Sequence, residues 1–467
     1  MRMGLAILVI ALSLLVLEGP RAGIDVRHFS VGETPVTSFS RADAAGPPIV
    51  IAHGFAGSTP MMQGYALPLA KAGYRVFAFD FLGHGQHPLP MSGDVNAIDG
   101  TTRLLVTQTR AVIDAVTEDA ETVGLLGHSM ATDLLVRAAQ ETAAVGPMVL
   151  LSAFSSEIDA TRPDDLLLLV GAWEPGLREF AVETAQAAPD DVRRRAVVLP
   201  LIEHVSILQS RVGQAEALAW FNAGFGRSES ARIWPMGAGI VALFLGLVVL
   251  FKQFARRLPK VPVAQAALSA RQTLLVLGLP MIVAPPLALV LNPGFMPVLV
   301  ADYLALHLLI YGAVQLGLLA YWRVPMGGLS VRGFALLAAG CVVFALAINR
   351  YAANFWPTDS RVWIIAAMAV GAVLFFVADA RLCHLASRRR RILIHVAFLV
   401  SLIFAVALDF SGLFFLLMIA PVVVLFYLVF GTMGHAVSNR AGPLAAGLAL
   451  GLMLAWSLGV SFPLFQG

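Results

Sequence analysis

Three residues able to perform nucleophilic acyl transfer occur in the chain order Ser129, Glu174, His204. Ser129 sits in Leu126-Gly127-His128-Ser129-Met130-Ala131, after an apolar run and before the helix-compatible stretch Thr132 to Thr142. A serine on a tight strand-to-helix turn is presented for attack, and the turn demands small residues two places to either side. Gly127 and Ala131 meet that demand, although alanine keeps a Cβ where glycine is commoner. Glu174 closes Leu167-Leu168-Leu169-Val170-Gly171-Ala172-Trp173-Glu174-Pro175, and His204 follows the next apolar run in Leu201-Ile202-Glu203-His204-Val205-Ser206. In such a set the hydroxyl attacks, the imidazole takes its proton and the carboxylate orients the imidazole. Asp159, Asp164 and Glu203 are rival acids. The first two read as turn residues before the seventh apolar run, and Glu203 stands too close to His204 in sequence to face it. This chemistry uses no cofactor, and no metal is expected: His84 and His87 lack nearby acids or cysteines and make a poor ligand set.

Residues that must be positioned imply elements that position them. Short apolar runs at Ile24 to Val31, Thr37 to Arg41, Pro48 to Ala52, Arg75 to Phe81, Thr122 to Leu126, Met148 to Ser152, Leu166 to Val170 and Ala196 to Pro200 alternate with helical stretches. From the third onward they are continuously apolar, as in a parallel sheet covered on both faces. The expected fold is an α/β sandwich of about eight strands. The third run ends in Ala52-His53-Gly54-Phe55-Ala56-Gly57, a flexible turn at the same sheet edge as Ser129. Backbone N–H groups of Phe55 and Met130 are therefore expected to converge as an oxyanion hole, with Met130 at a helix start whose dipole favours an anion. His53 reads as a structural support for that turn, while Met61 and His128 are expected to bind substrate.

With these motifs in place, the region from about residue 24 to 223 resembles the α/β-hydrolase superfamily, in its serine-aminopeptidase, monoacylglycerol-lipase and dienelactone-hydrolase branches. The resemblance is carried by His53-Gly54-Phe55, Asp80-Phe81-Leu82-Gly83-His84-Gly85, Gly127-His128-Ser129-Met130-Ala131, Gly171-Ala172-Trp173-Glu174 and His204. It implies hydrolysis through an acyl-enzyme on Ser129, with His204 as base and Glu174 as its orienting acid. Ala131 for Gly and Glu for the commoner Asp are departures. Many such proteins insert a cap between the sixth and seventh strands, but Ser152 to Asp165 is too short for a separate cap domain. The site is then open, or covered by the loop from Gly83 to Thr101 or by the rest of the chain.

That remainder is of another kind. The chain has 467 residues, 58% of them hydrophobic, and a mean hydropathy of +0.80, which favours a membrane protein. Apolar segments at about 233–251, 273–291, 298–321, 333–349, 362–378, 392–408, 411–431 and 444–463 are each long enough to span. The shorter run Met3 to Leu17 reads as a signal anchor. The expected division is 1–22 signal anchor or signal peptide, 23–230 hydrolase, and 231–467 an all-α transmembrane bundle of about eight helices. Acidic residues after 230 number only four, Asp302, Asp359, Asp379 and Asp409, so the halves carry opposite net charge. The basic pI of 9.0 thus reflects cations in loops between apolar helices, not a nucleic-acid face, and no nucleic-acid partner is expected. Thirteen Lys and Arg fall in loops on one side, including the run Arg388 to Arg391, against Arg350 and Arg361 on the other. The positive-inside rule then puts the hydrolase on the periplasmic or outer face of a multi-pass cytoplasmic (inner) membrane. The expected partners are a small-molecule or lipid acyl substrate and the bilayer itself. Asp302 and His307 share one span and are read as a helix-packing or proton-linked pair or, more simply, as a headgroup-level acid and a hydrogen-bonded histidine; Cys341 and Cys383 read as apolar packing residues.

Overall fold

The computed structural model describes residues 2–93, 98–117, 122–142 and 144–466. Eight strands, β1 (Asp25–Val31), β2 (Thr34–Ser40), β3 (Pro48–Ala52), β4 (Arg75–Phe79), β5 (Val123–His128), β6 (Val145–Leu151), β7 (Asp165–Gly171) and β8 (Arg193–Leu199), form one sheet in the order β1-β2-β4-β3-β5-β6-β7-β8. The β1–β2 and β2–β4 pairs are antiparallel and the rest parallel. The continuous apolar runs are explained by burial on both faces. Ile49, Ile51, Leu126, Val149 and Leu169 point to a face covered by α2 (Gln63–Lys71) and α6 (Arg211–Gly224). Val50, Ala52, Leu125, Leu150 and Leu168 point to the other, covered by α3 (Arg103–Val116), α4 (Met130–Gln140) and α5 (Pro175–Gln186).

Among the described residues, eight helices are long and apolar enough to cross a membrane: α7 (Met236–Ala255), α8 (Ala270–Leu291), α9 (Ala301–Tyr321), α10 (Val331–Tyr351), α11 (Asp359–Cys383), α12 (Arg388–Leu408), then Phe415–Ala441 and Pro443–Ser461. The seventh continues as helix through 432–441, where a loop was expected. A π-turn at Tyr427–Gly431 absorbs the glycine without ending the helix, and Gly442 ends it instead. The N-terminal helix α1 (Arg2–Glu18) lies antiparallel along α7, with Gly239 against Val16 and Leu17 and Gly246 against Ala6 and Ile10. At its end Glu18 accepts from Arg350 Nε (2.6 Å), Arg350 Nη2 (2.8 Å) and the Tyr351 hydroxyl (2.5 Å).

Several polar residues inside the bundle serve its backbone. A proline removes the N–H that would serve the carbonyl four residues earlier. Pro280 and Pro285 lie inside α8, and the carbonyls they deprive, Val276 and Met281, receive Gln315 Nε2 (3.1 Å) and Ser401 Oγ (3.3 Å) instead. The proline pair Pro285-Pro286 therefore does not break the helix. His307 bonds Ser401 Oγ (3.1 Å) and Tyr303 (3.2 Å), whereas Asp302 accepts from the Phe295 and Met296 N–H groups ahead of α9. Asp302 and His307 do not bond each other; each is held by its own partners.

The two parts of the chain are bonded to one another at several points. Asn354 N–H donates to Ser58 Oγ (2.9 Å), Asn354 Nδ2 to Gly85 O (3.2 Å), and Gln86 Nε2 to Trp356 O (2.7 Å). The C-terminal tail runs beside the same loop: Met91 N–H donates to Leu464 O, and Leu464 N–H to Gly83 O. Arg361, 1% exposed, donates Nη2 to Gly83 O (2.8 Å) and Nη1 to Gly459 O (3.1 Å) and Phe462 O. The loop that might have covered the site is thus fastened to the bundle; its residues 94–97 lie outside the described residues. Arg361→Met would leave these carbonyls short of a donor. We expect a loss of about 2 kcal/mol or more, read as a lower melting temperature of the detergent-solubilised protein and faster proteolysis between 83 and 93, with Arg361→Lys intermediate. Unchanged melting and proteolysis would remove the clamp assignment.

Candidate active site

Ser129 stands between β5 and α4 with φ 53° and ψ −120°, a backbone conformation costly for a non-glycine residue and held here by the packing around it. The turn is tight because its flanks are small: a Cβ on Gly127 would come within 2.6 Å of Leu135 Cδ1 and 3.2 Å of Ala131 O. Ala131, standing where glycine is commoner, is itself fully buried.

From Ser129 a chain of hydrogen bonds runs inward. His204 Nε2 lies 2.8 Å from Ser129 Oγ, and His204 Nδ1 lies 2.6 Å from Glu174 Oε1. Glu174 Oε2 accepts from Ser152 Oγ (2.9 Å) and Gly171 N–H (2.8 Å). Burial of Glu174 pushes its pKa up, but the bonds from His204, Gly171 and Ser152 prevail and hold it below the usual carboxylate range. It is an anion at neutral pH. The rival acids are engaged elsewhere: Asp159 accepts from Thr161 and Arg162 within its own turn, Asp164 is exposed, and Glu203 accepts from the Val205 and Ser206 N–H groups, bracing the His204 loop.

The turn after β3 abuts the serine. A Cβ on Gly54 would meet Ser129 Cβ at 3.0 Å and His128 Nδ1 at 2.9 Å, so only glycine allows the approach that brings Phe55 beside Ser129. Met130 is the first residue of α4, and its N–H has no acceptor within the helix. His53 supports this turn with both ring nitrogens: Nδ1 bonds Gly54 O (2.8 Å) and Nε2 accepts from Phe81 N–H (3.2 Å). Burial lowers its pKa and keeps it neutral.

His128 is buried, with Nε2 2.8 Å from His204 O. Burial, followed by repulsion from His204, takes its pKa down to about 4. Its contacts make it a strut for the His204 loop. Met61 lies in the short helical turn Thr59–Met62 and packs against the core of the α2 face, with no contact to the Ser129 group among those described. Ser152 was not singled out from sequence, because a serine at a strand end carries no signal of the carboxylate it serves.

The mouth of the site is apolar. Phe154, Trp173, Leu201 and Val205 are all exposed at the carboxyl edge of the sheet, Trp173 64% and Leu201 75%. Phe55 meets Phe415, at the start of the seventh span, at a ring separation of 5.5 Å. The His204 side chain is 41% exposed.

Residues 47–191 match the family model described as alpha/beta hydrolase fold. Comparison with curated proteins gave no match. Among solved structures the chain is similar to a dienelactone hydrolase from Anabaena variabilis (19% identity, TM-score 0.34, covering 43% of this chain and 98% of that one). It is also similar to a soluble variant of monoglyceride lipase from Saccharomyces cerevisiae (9%, TM-score 0.35, 43% and 96%) and to a thioesterase domain from the curacin biosynthetic pathway (15%, TM-score 0.31, 42% and 98%).

Proposed function

From an N-terminal region with the α/β-hydrolase fold joined to eight apolar helices, we propose that this chain is a membrane-bound serine hydrolase cleaving an ester, thioester or related acyl bond of an amphipathic substrate. The observation that carries the reading is the unbroken chain of hydrogen bonds from Ser129 Oγ through His204 to a buried, ionised Glu174. Ser129 Oγ attacks the acyl carbon while His204 Nε2 accepts its proton. The carbonyl electron pair moves to oxygen and is stabilised by the Phe55 and Met130 N–H groups. When the tetrahedral intermediate collapses, the proton on His204 passes to the leaving oxygen or sulfur and the acyl group stays on Ser129. Water, deprotonated by His204, repeats the attack and releases the acid. Glu174 keeps the Nδ1–H tautomer throughout and offsets the charge of the imidazolium.

The apolar rim argues for a substrate with a hydrocarbon portion, as does the Phe55–Phe415 contact, which sets the reacting centre beside a spanning helix. The charge distribution supports the periplasmic or outer side as the place of reaction.

A fluorophosphonate probe should label the wild-type protein in membranes and leave Ser129→Ala unlabelled; failure to label active wild type would exclude a serine nucleophile. On p-nitrophenyl esters, kcat/KM should rise about fourfold for each methylene that the rim buries, from about 0.8 kcal/mol per CH2. A flat profile from acetate to decanoate would leave the hydrolase but remove the amphipathic substrate.

A further inference from the structure

Away from Ser129, three ligand-type side chains meet inside the bundle. Asp379 and Cys383 stand one turn apart on the same face of α11, and His395 reaches them from α12. His395 Nε2 lies 3.4 Å from Asp379 Oδ1 and 3.6 Å from Cys383 Sγ, and Cys383 Sγ lies 3.9 Å from Asp379 Oδ1. A tetrahedral ion held at about 2.0 Å from nitrogen and oxygen and about 2.3 Å from sulfur sets ligand atoms roughly 3.3–3.6 Å apart. The three separations approach that triangle without rearrangement of either helix.

This differs from what the residues suggest in sequence. Asp379 is buried, and Cys383 touches two polar partners where simple apolar packing was expected.

Two further observations point to a ligand. The group opens on a cavity of about 50 Å3 lined also by Arg391, Tyr427, His435 and Ser438, room for an ion with a water molecule. Into the same space face groups without a protein partner: the Tyr427 hydroxyl and His435 Nδ1 are buried and unbonded among the described residues. Tyr427 also stacks on the His395 ring at 3.8 Å, which fixes the imidazole plane, and it opens the π-turn Tyr427–Gly431, an irregularity that recurs at functional sites. His384, by contrast, is occupied by Ser438 Oγ and Val263 O and is no ligand.

We propose that Asp379, Cys383 and His395 bind a divalent transition ion of zinc type, with water at the fourth position. A carboxylate, an imidazole and a thiolate suit a borderline-soft ion and exclude magnesium and calcium, which take oxygen ligands. The carboxylate and thiolate supply two negative charges that balance a divalent ion, with Arg391 beside the cavity as an opposing charge. The site lies about 27–33 Å along α11 from Arg361, the residue that grips the Gly83 loop. It is a second site, separate from the Ser129 chemistry.

The test uses the full-length protein, purified in detergent through a histidine-free tag without chelators. Plasma mass spectrometry should find about one zinc per chain, lost in Cys383→Ser and in His395→Ala but retained in Cys341→Ala. Independently of whether the variants fold, metal-free wild type titrated with Co2+ should develop the near-ultraviolet charge-transfer band of a thiolate ligand and the visible bands of tetrahedral cobalt. Wild type with neither bound zinc nor a thiolate–cobalt band, or zinc retained in the folded Cys383→Ser variant, would overturn the proposal.

Discussion

Ser129→Ala and His204→Ala should each lower kcat by about 10^4 to 10^6, and the double variant should be no slower than either. The reason is geometric. Ser129 Oγ and His204 Nε2 are one hydrogen-bonded unit at 2.8 Å, so a hydroxyl without its base and a base without its hydroxyl are equally unable to form the acyl-enzyme. KM should move little, because neither variant removes the apolar rim proposed to hold the substrate. Steady-state kinetics on one ester, with burst-phase analysis of wild type to detect the acyl-enzyme, is the measurement. Multiplicative losses in the double variant would show that the two residues act in separate steps and would break the proposed unit.

Glu174→Gln should cost about 10^4 in kcat at neutral pH although it changes a single atom. The carboxylate is held asymmetrically: Oε2 accepts from both the Ser152 hydroxyl and the Gly171 N–H, while Oε1 alone faces His204. In the amide the oxygen must take the Oε2 place, since an NH2 there would confront a backbone donor. The NH2 is then left against His204 Nδ1 as a donor, which drives the ring proton to Nε2 and removes the site that accepts the Ser129 proton. Fluorophosphonate labelling should slow in parallel while the melting curve stays cooperative. A loss below tenfold would mean that Glu174 only packs beneath the histidine.

The parts of this site legible in the sequence are those encoded locally. A serine between small residues at a strand end, a glycine turn after β3 and the order of nucleophile, acid and base are all visible within a few residues of each participant. Ser152 was invisible because its partner Glu174 lies 22 positions away and no periodicity links them. The fastening of the Gly83 loop to the C-terminal tail and Arg361 spans hundreds of residues and left no trace in composition. Charge counting treated Arg350 and Arg361 as minority loop cations, but both are occupied in contacts, one with Glu18 and the other with backbone carbonyls. Residue type alone cannot tell a solvated guanidinium from one enclosed by acceptors. Likewise Gly431 read as a helix end, yet the helix passes through it as a π-turn because the next residues still bury Met433 and Val437.

The pairing of α1 with α7 makes the hydrolase, topologically, an insertion between two adjacent antiparallel helices, with Gly19 touching Trp234 where the chain leaves and returns. During synthesis the first of these helices emerges long before its mate: the roughly 220 intervening residues, at about 5–20 residues per second, separate the two by about 10–40 s. The sheet region therefore has time to fold while joined to the first helix alone, and is held from both ends only when α7 arrives. Thereafter it cannot swivel on a single tether, so the mouth of the site keeps one azimuth toward the bundle, and mature orientation is decided late, by helix pairing and not by the folding of the sheet.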